Sequence, residues 1–123
     1  KRKEQMQAYY RATKSIKGVR VREFADWCTP VHWLMTITLE NSYSTDALLN
    51  YMKKNEVDCR QMINPVHRAE HFKGDFEESK FPNSVTVAAQ SVHLPSSTSL
   101  TGEQIELITR LLESFLSKSN SGR

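Results

Sequence analysis

Apolar and polar positions along this 123-residue chain follow two periods, one helical and one extended, and the switches between them mark out the elements. From Lys1 to Lys17, Met6, Tyr9, Tyr10, Thr13 and Ile16 recur at three- and four-residue spacing, which predicts a helix. Gly18 suits the end of that helix, with Lys14 and Lys17 in its last turn. Val19 to Phe24 alternates and predicts a half-buried strand, and Asp26 to Pro30 a turn. The strongest strand signal runs from Val31 to Glu40, where Met35, Ile37 and Leu39 alternate with Thr36, Thr38 and Glu40. Ser44-Thr45-Asp46 then caps a short helix to Asn55, with Leu48, Leu49 and Met52 inward and Lys53 and Lys54 at its end.

Val57 to Ile63 is the next predicted strand, closing a strand-helix-strand unit whose crossover is right-handed if both strands share a sheet. His67 to Pro82 is polar and predicts a loop. Ser84 to Ser91 supports two readings: Val85-Thr86-Val87 favours a strand, while Pro82 and Ser84 make a good helix start. Leu94 to Ser97 is a turn. Thr101-x-x-Gln104 is a capping box ahead of Ile105, Ile108, Leu111, Leu112, Phe115 and Leu116 on one helical face. The sum is an α+β domain, a small mostly antiparallel sheet of three to four strands packed by amphipathic helices, over residues 1–117, with a disordered tail at 118–123.

Composition changes this picture little. The length and the apolar and charged fractions are those of one globular domain. No apolar run reaches the roughly 18 residues that span a bilayer. The net charge of +3 is spread among interleaved acids, as on a solvated surface rather than a nucleic-acid footprint. Cys28 and Cys59 are far apart and read as reduced cysteines of a cytoplasmic protein. The first helix lacks a capping residue and an initiator Met, so the chain is expected to be a fragment of something longer.

Most of the chemistry lies between Val57 and His71. His67-x-x-Glu70-His71 has a metalloenzyme spacing, with two imidazoles and a glutamate to activate a metal-bound water. That chemistry needs both histidines on one helix face, and Lys73-Gly74-Asp75 ends any helix there without an apolar stripe to dock it; no metal site is expected. There is no G-x-S-x-G elbow, Gly-rich phosphate loop or dinucleotide fingerprint. Trp27 and Trp33 read as core or interface aromatics ahead of a stacking platform.

Three blocks in order carry a resemblance. They are Val31-His-Trp-Leu-Met-Thr-Ile-Thr-Leu39; Val57-Asp-Cys-Arg60 leading to Asn64-Pro65-Val66-His67 and Phe72; and Phe81-Pro82, Val92-His-Leu94-Pro95 and Leu100-Thr101-x-x-Gln104-Ile105. Together they resemble the C-terminal small domain of the DegT/DnrJ/EryC1/StrS-type nucleotide-sugar aminotransferases, near the perosamine synthases. The resemblance implies the small domain of a fold-type I pyridoxal-phosphate enzyme that moves an amino group, from glutamate, to a nucleotide-linked keto-sugar. It implies a large domain of the same polypeptide carrying the cofactor and its lysine, and a cytoplasmic homodimer. It places no catalytic or cofactor-binding residue in this chain, whose lysines (Lys53, Lys54, Lys73 and Lys80 among them) have no desolvating setting. His67 then matches the substrate-facing position, and Arg60 could pair a phosphate or an internal carboxylate. Arg68, Glu70 and His71 are expected in solvent. Two other readings stay open: a free-standing α+β binding module and, behind it, the zinc hydrolase.

Overall fold

The computed structural model describes residues 1–72 and 74–120. Helix α1 spans Arg2–Thr13 and strand β1 Val19–Val21, followed by β2 (Met35–Leu39), α2 (Thr45–Lys54) and β3 (Arg60–Gln61). Helix α3 (Pro82–Gln90) leads directly into β4 (Ser91–Leu94), and α4 (Gly102–Asn120) completes the order. The strands form one antiparallel sheet in the order β1-β2-β4-β3. Strands β2 and β3 therefore run parallel to each other with β4 between them, so the strand-helix-strand unit does share a sheet. No helix among the described residues is long and apolar enough to cross a membrane.

Strand alternation sends Met35, Ile37 and Leu39 of β2, and Val92 and Leu94 of β4, to one face. There they join Met6 and Tyr9 of α1, Leu48 and Met52 of α2, and Ile105, Ile108, Leu112 and Leu116 of α4 in one core. Two hydrogen bonds tie α1 to the loop before α4: the Tyr9 hydroxyl donates to the Pro95 carbonyl (2.9 Å) and Gln5 Nε2 to the Leu100 carbonyl (2.9 Å). The capping box of α4 forms in both directions, Gln104 N–H donating to Thr101 Oγ1 (3.2 Å) and Thr101 N–H to Gln104 Oε1 (2.9 Å). Ser44 caps α2 by accepting from Ala47 N–H.

Several boundaries differ from the sequence expectation. Helix α1 stops at Thr13, and the chain turns before Gly18, whose positive φ (88°) seats it against the Tyr43 ring. A Cβ there would stand 2.5 Å from Tyr43 Cε2, so both the φ and the space require glycine. The strand predicted from Val31 begins only at Met35; Val31 and Trp33 lie exposed ahead of it. The strand predicted over Val57 to Ile63 pairs only at Arg60 and Gln61, at the sheet edge. The segment that read both ways is helix α3, with the strand immediately after it as the inner neighbour of β2. Helix α4 continues through 118–120, into the predicted tail; residues 121–123 lie outside those described.

Helix α2 ends without glycine. Asn55 is its cap, Glu56 takes positive φ (61°), Glu56 N–H donates to Lys53 O (3.1 Å) and Val57 N–H to Met52 O (3.0 Å). That is the Schellman pattern, closed over a buried Val57 and Met52.

Candidate functional site

The loop expected between His67 and Pro82 holds three single 3-10 turns, Val66–Arg68, Glu70–Phe72 and Glu78–Lys80. Pro65 fixes the entry (φ −57°, ψ 144°), and Pro82 starts α3 at the exit. Between them Phe72 and Phe81 are half-buried and Phe76 is exposed, and the three rings lie against one another. Phe76 meets Phe72 and Phe81 edge-on, with centroids 5.9 and 6.0 Å apart. His67 lies flat on Phe81, the ring centroids 4.6 Å apart and the planes 15° from parallel.

These rings form one side of a cavity of about 820 Å³ whose other walls include Met62, Ile63, Val66, Val87 and Ala88. The polar groups on it are few: His67, Asn64, Asn83 and Ser84. His67 is half-buried, and its Nε2 is buried without a hydrogen-bond partner among the described residues. The cavity is open to solvent, with Val66, Ile63 and Phe76 exposed on its walls, and a ligand seated there would cover apolar surface and be oriented through a small number of polar contacts. His67 supplies the one ring on that wall whose nitrogens can hydrogen-bond a ligand.

Two of the residues expected in solvent behave differently from each other. Arg68 forks onto Glu78, Nε to Oε1 and Nη2 to Oε2 (3.0 Å for the second), whereas His71 is exposed and tilts against Phe72. The hydrogen bond from Arg68 holds the Glu78 carboxyl below the usual carboxylate range, and nearby His67 adds a smaller pull the same way. The metalloenzyme spacing does not become a metalloenzyme geometry. His67 and His71 sit on separate 3-10 turns divided by an extended Ala69 (ψ 143°), rather than on one helix face.

Arg60 is not on the cavity wall. It sits on edge strand β3, opposite His93 in register, and pairs with Asp58 (3.1 Å) with both side chains 78% exposed. Such a pair contributes about 0–1 kcal/mol, so its guanidinium can exchange Asp58 for another anion at little cost. Cys59 beside it is no nucleophile: burial, and then the Asp58 charge, push its thiol up to about 12.

His93 has no counterpart among the expected site residues. On β4 it faces away from the core, beside Thr36, whose Oγ1 lies 2.9 Å from its Nδ1; Thr38 and Ser91 make a matching pair (2.9 Å) one step along. Burial lowers the pKa of His93. The signal was present in the sequence as a lone histidine between Val92 and Leu94, in a four-residue strand too short to show a period. His93, Met62 and Ile63 also border a second pocket of about 290 Å³ with Phe24, Val31 and Trp33.

Every lysine among the described residues is exposed, and Lys73 lies outside them. The described residues therefore offer no desolvated amine of the kind that forms an imine with pyridoxal phosphate, and do not by themselves fit that cofactor.

A profile of the DegT/DnrJ/EryC1/StrS aminotransferase family matches residues 1–113. No curated protein matches the chain. Among solved structures, the chain superimposes on DesV of S. venezuelae in complex with a ketimine intermediate at a TM-score of 0.82 and 21% identity, covering 93% of this chain and 30% of DesV. DesI with its TDP-sugar product gives 0.79 at 19% identity, over 92% of this chain and 30% of DesI. The apo form of Spr1654 from Streptococcus pneumoniae, a sugar aminotransferase by description, gives 0.85 at 14%, over 98% and 31%. At these identities the superpositions establish the fold, and the chain spans about a third of the length of each.

Proposed function

The chain belongs to the DegT/DnrJ/EryC1/StrS aminotransferase family, and from that premise we propose that it forms one wall of the active site of a sugar aminotransferase. The whole protein transfers an amino group from glutamate to a keto-sugar carried on a nucleotide. A large domain of the same polypeptide supplies the cofactor lysine and holds pyridoxal phosphate, which provides the electron sink for the transfer. The 123-residue chain alone is inactive. The working enzyme is a cytoplasmic homodimer, and the exposed Trp27, Val31 and Trp33 pack against the large domain or the second subunit.

One observation carries this reading within the family: the cavity over Phe81, where the His67 imidazole lies on an otherwise mostly apolar wall. The TDP-sugar product bound by DesI, which shares this fold, supports a nucleotide-linked sugar as the substrate class. In this reading His67 hydrogen-bonds a sugar hydroxyl or phosphate oxygen through a ring nitrogen. Arg60, released from Asp58, pairs a phosphate at the edge of the sheet.

The experiment is direct. The whole protein, loaded with pyridoxal phosphate and given glutamate with a panel of nucleotide-linked keto-sugars, is expected to yield an amino-sugar nucleotide detectable by mass. The 123-residue chain under the same conditions is expected to yield none. No transfer to any keto-sugar in the panel by a cofactor-loaded protein overturns the proposal.

A further inference from the structure

The ion pair between Arg68 and Glu78 stands where an exposed charge pair has unusual leverage. It closes a loop between positions ten apart, joining the first 3-10 turn after Pro65 to the last one before Pro82. Immediately outside the pair in sequence are His67 on one side and Phe81, three residues past Glu78, on the other, and these two rings are the ones that stack. Inside the closed loop lie Phe72 and Phe76, which continue the same wall of the cavity. The contact is a two-pronged fork of guanidinium on carboxylate, which fixes orientation as well as distance. Among the described residues Arg68 is the guanidinium engaged this way; Arg60 reaches Asp58 through one nitrogen.

We propose that Arg68 and Glu78 form a latch that positions His67: the fork holds the two ends of the loop together and so keeps the imidazole flat on Phe81, facing the cavity. Both are positioning residues, neither touching the cavity. Breaking the latch leaves the core and sheet intact, because no described residue between 66 and 80 belongs to that core. It releases the loop ends, unstacks His67 and lets the phenylalanine wall relax. Lysine in place of Arg68 keeps the charge without the fork and holds the stack incompletely. Only the consequence for turnover rests on the reading of His67 as substrate-facing; the latch itself does not.

The test labels histidine at Cε1 in the whole protein and follows the His67 ring resonance, assigned through His67→Gln. Stacking on Phe81 displaces this resonance upfield, and Phe81→Leu calibrates the unstacked position. Arg68→Ala and Glu78→Gln are each expected to move it toward that unstacked position with the unfolding midpoint nearly unchanged, and Arg68→Lys to move it part of the way. The exchanged pair, Arg68→Glu with Glu78→Arg, is expected to bring it back. A His67 resonance that stays in place in both Arg68→Ala and Glu78→Gln overturns the latch, as does an exchanged pair that restores nothing. In the same variants kcat/KM is expected to fall about tenfold, as for a displaced substrate-positioning group. If the resonance moves and kcat/KM does not, the latch stands and the substrate-facing role of His67 falls.

Discussion

One face of the sheet is closed by α1, α2 and α4 over Met35, Ile37, Leu39, Val92 and Leu94, all at most 2% exposed. The other carries Thr36, Thr38, Ser91 and His93, paired across strands, and borders pockets rimmed by Trp33, Val31, Ile63 and Phe76 that solvent reaches. The first face is where apolar burial supplies stability. The second spends apolar surface on walls rather than on a core, and its hydrogen bonds fix strand register between side chains of which Ser91 and His93 are buried. The difference separates a face that packs a core from one that leaves large apolar side chains within reach of solvent.

Substitution should expose the contrast most sharply through cavity formation. Leu112→Ala on the closed face is expected to cost about 2–5 kcal/mol in urea or thermal unfolding. Phe76→Ala on the open side, where the ring is 47% exposed, is expected to cost less than about 1.5 kcal/mol while changing what the large cavity admits. Equal losses would erase the distinction between the two faces.

A gain of stability is available on the closed side, at the end of α2. Glu56 holds a positive φ that an L side chain adopts at a penalty, inside a Schellman motif that glycine satisfies without one. Glu56→Gly is expected to raise stability by roughly 0.5–1 kcal/mol, less than the conformational penalty because glycine also loosens the unfolded chain. A loss of stability would mean that the Glu56 side chain makes a contribution larger than its backbone penalty.

The smallest effect belongs to pH and comes from the open face. Burial holds the folded pKa of His93 below its ordinary value of 6.5, so well above 6.5 it is uncharged in both states and contributes no pH dependence. As pH falls through 6.5 the unfolded chain takes up a proton that the folded chain does not, and stability declines until the folded pKa is reached. The unfolding midpoint of the wild type should therefore drop between pH 7 and 5 more steeply than that of His93→Gln. Parallel profiles would show that His93 is not desolvated as the structure has it.

Much of the closed face was legible in the sequence. The periods of Met6-Tyr9-Thr13 and of Ile105-Ile108-Leu112, the Ser44 cap and the Thr101 capping box all reported elements whose stability is local or stems from one apolar stripe. Strand β4 was not legible, because four residues cannot display a period and the β-branched run at 85–87 lies in a helix. There, Pro82 at the helix start and the packing of Ala88 outweigh the strand propensity of Val85-Thr86-Val87. The candidate site divided in the same way. Pro65-x-His67 was visible as a motif, whereas its aromatic setting was not: Phe72, Phe76 and Phe81 follow no regular spacing and sit in a segment that reads as polar. The Arg68–Glu78 fork was equally hidden, since nothing in a sequence pairs charges ten residues apart across a loop.

The central claim is that the open side is one wall of an active site with His67 facing the substrate. His67→Phe in the whole protein tests it most directly, because phenylalanine keeps a ring to stack on Phe81 and removes only the ring nitrogens. The account predicts that kcat/KM toward the nucleotide-linked keto-sugar falls about tenfold, as for a lost hydrogen bond to a charged or polar ligand group, with the unfolding midpoint unchanged. An unaltered kcat/KM in a variant that folds normally would contradict it.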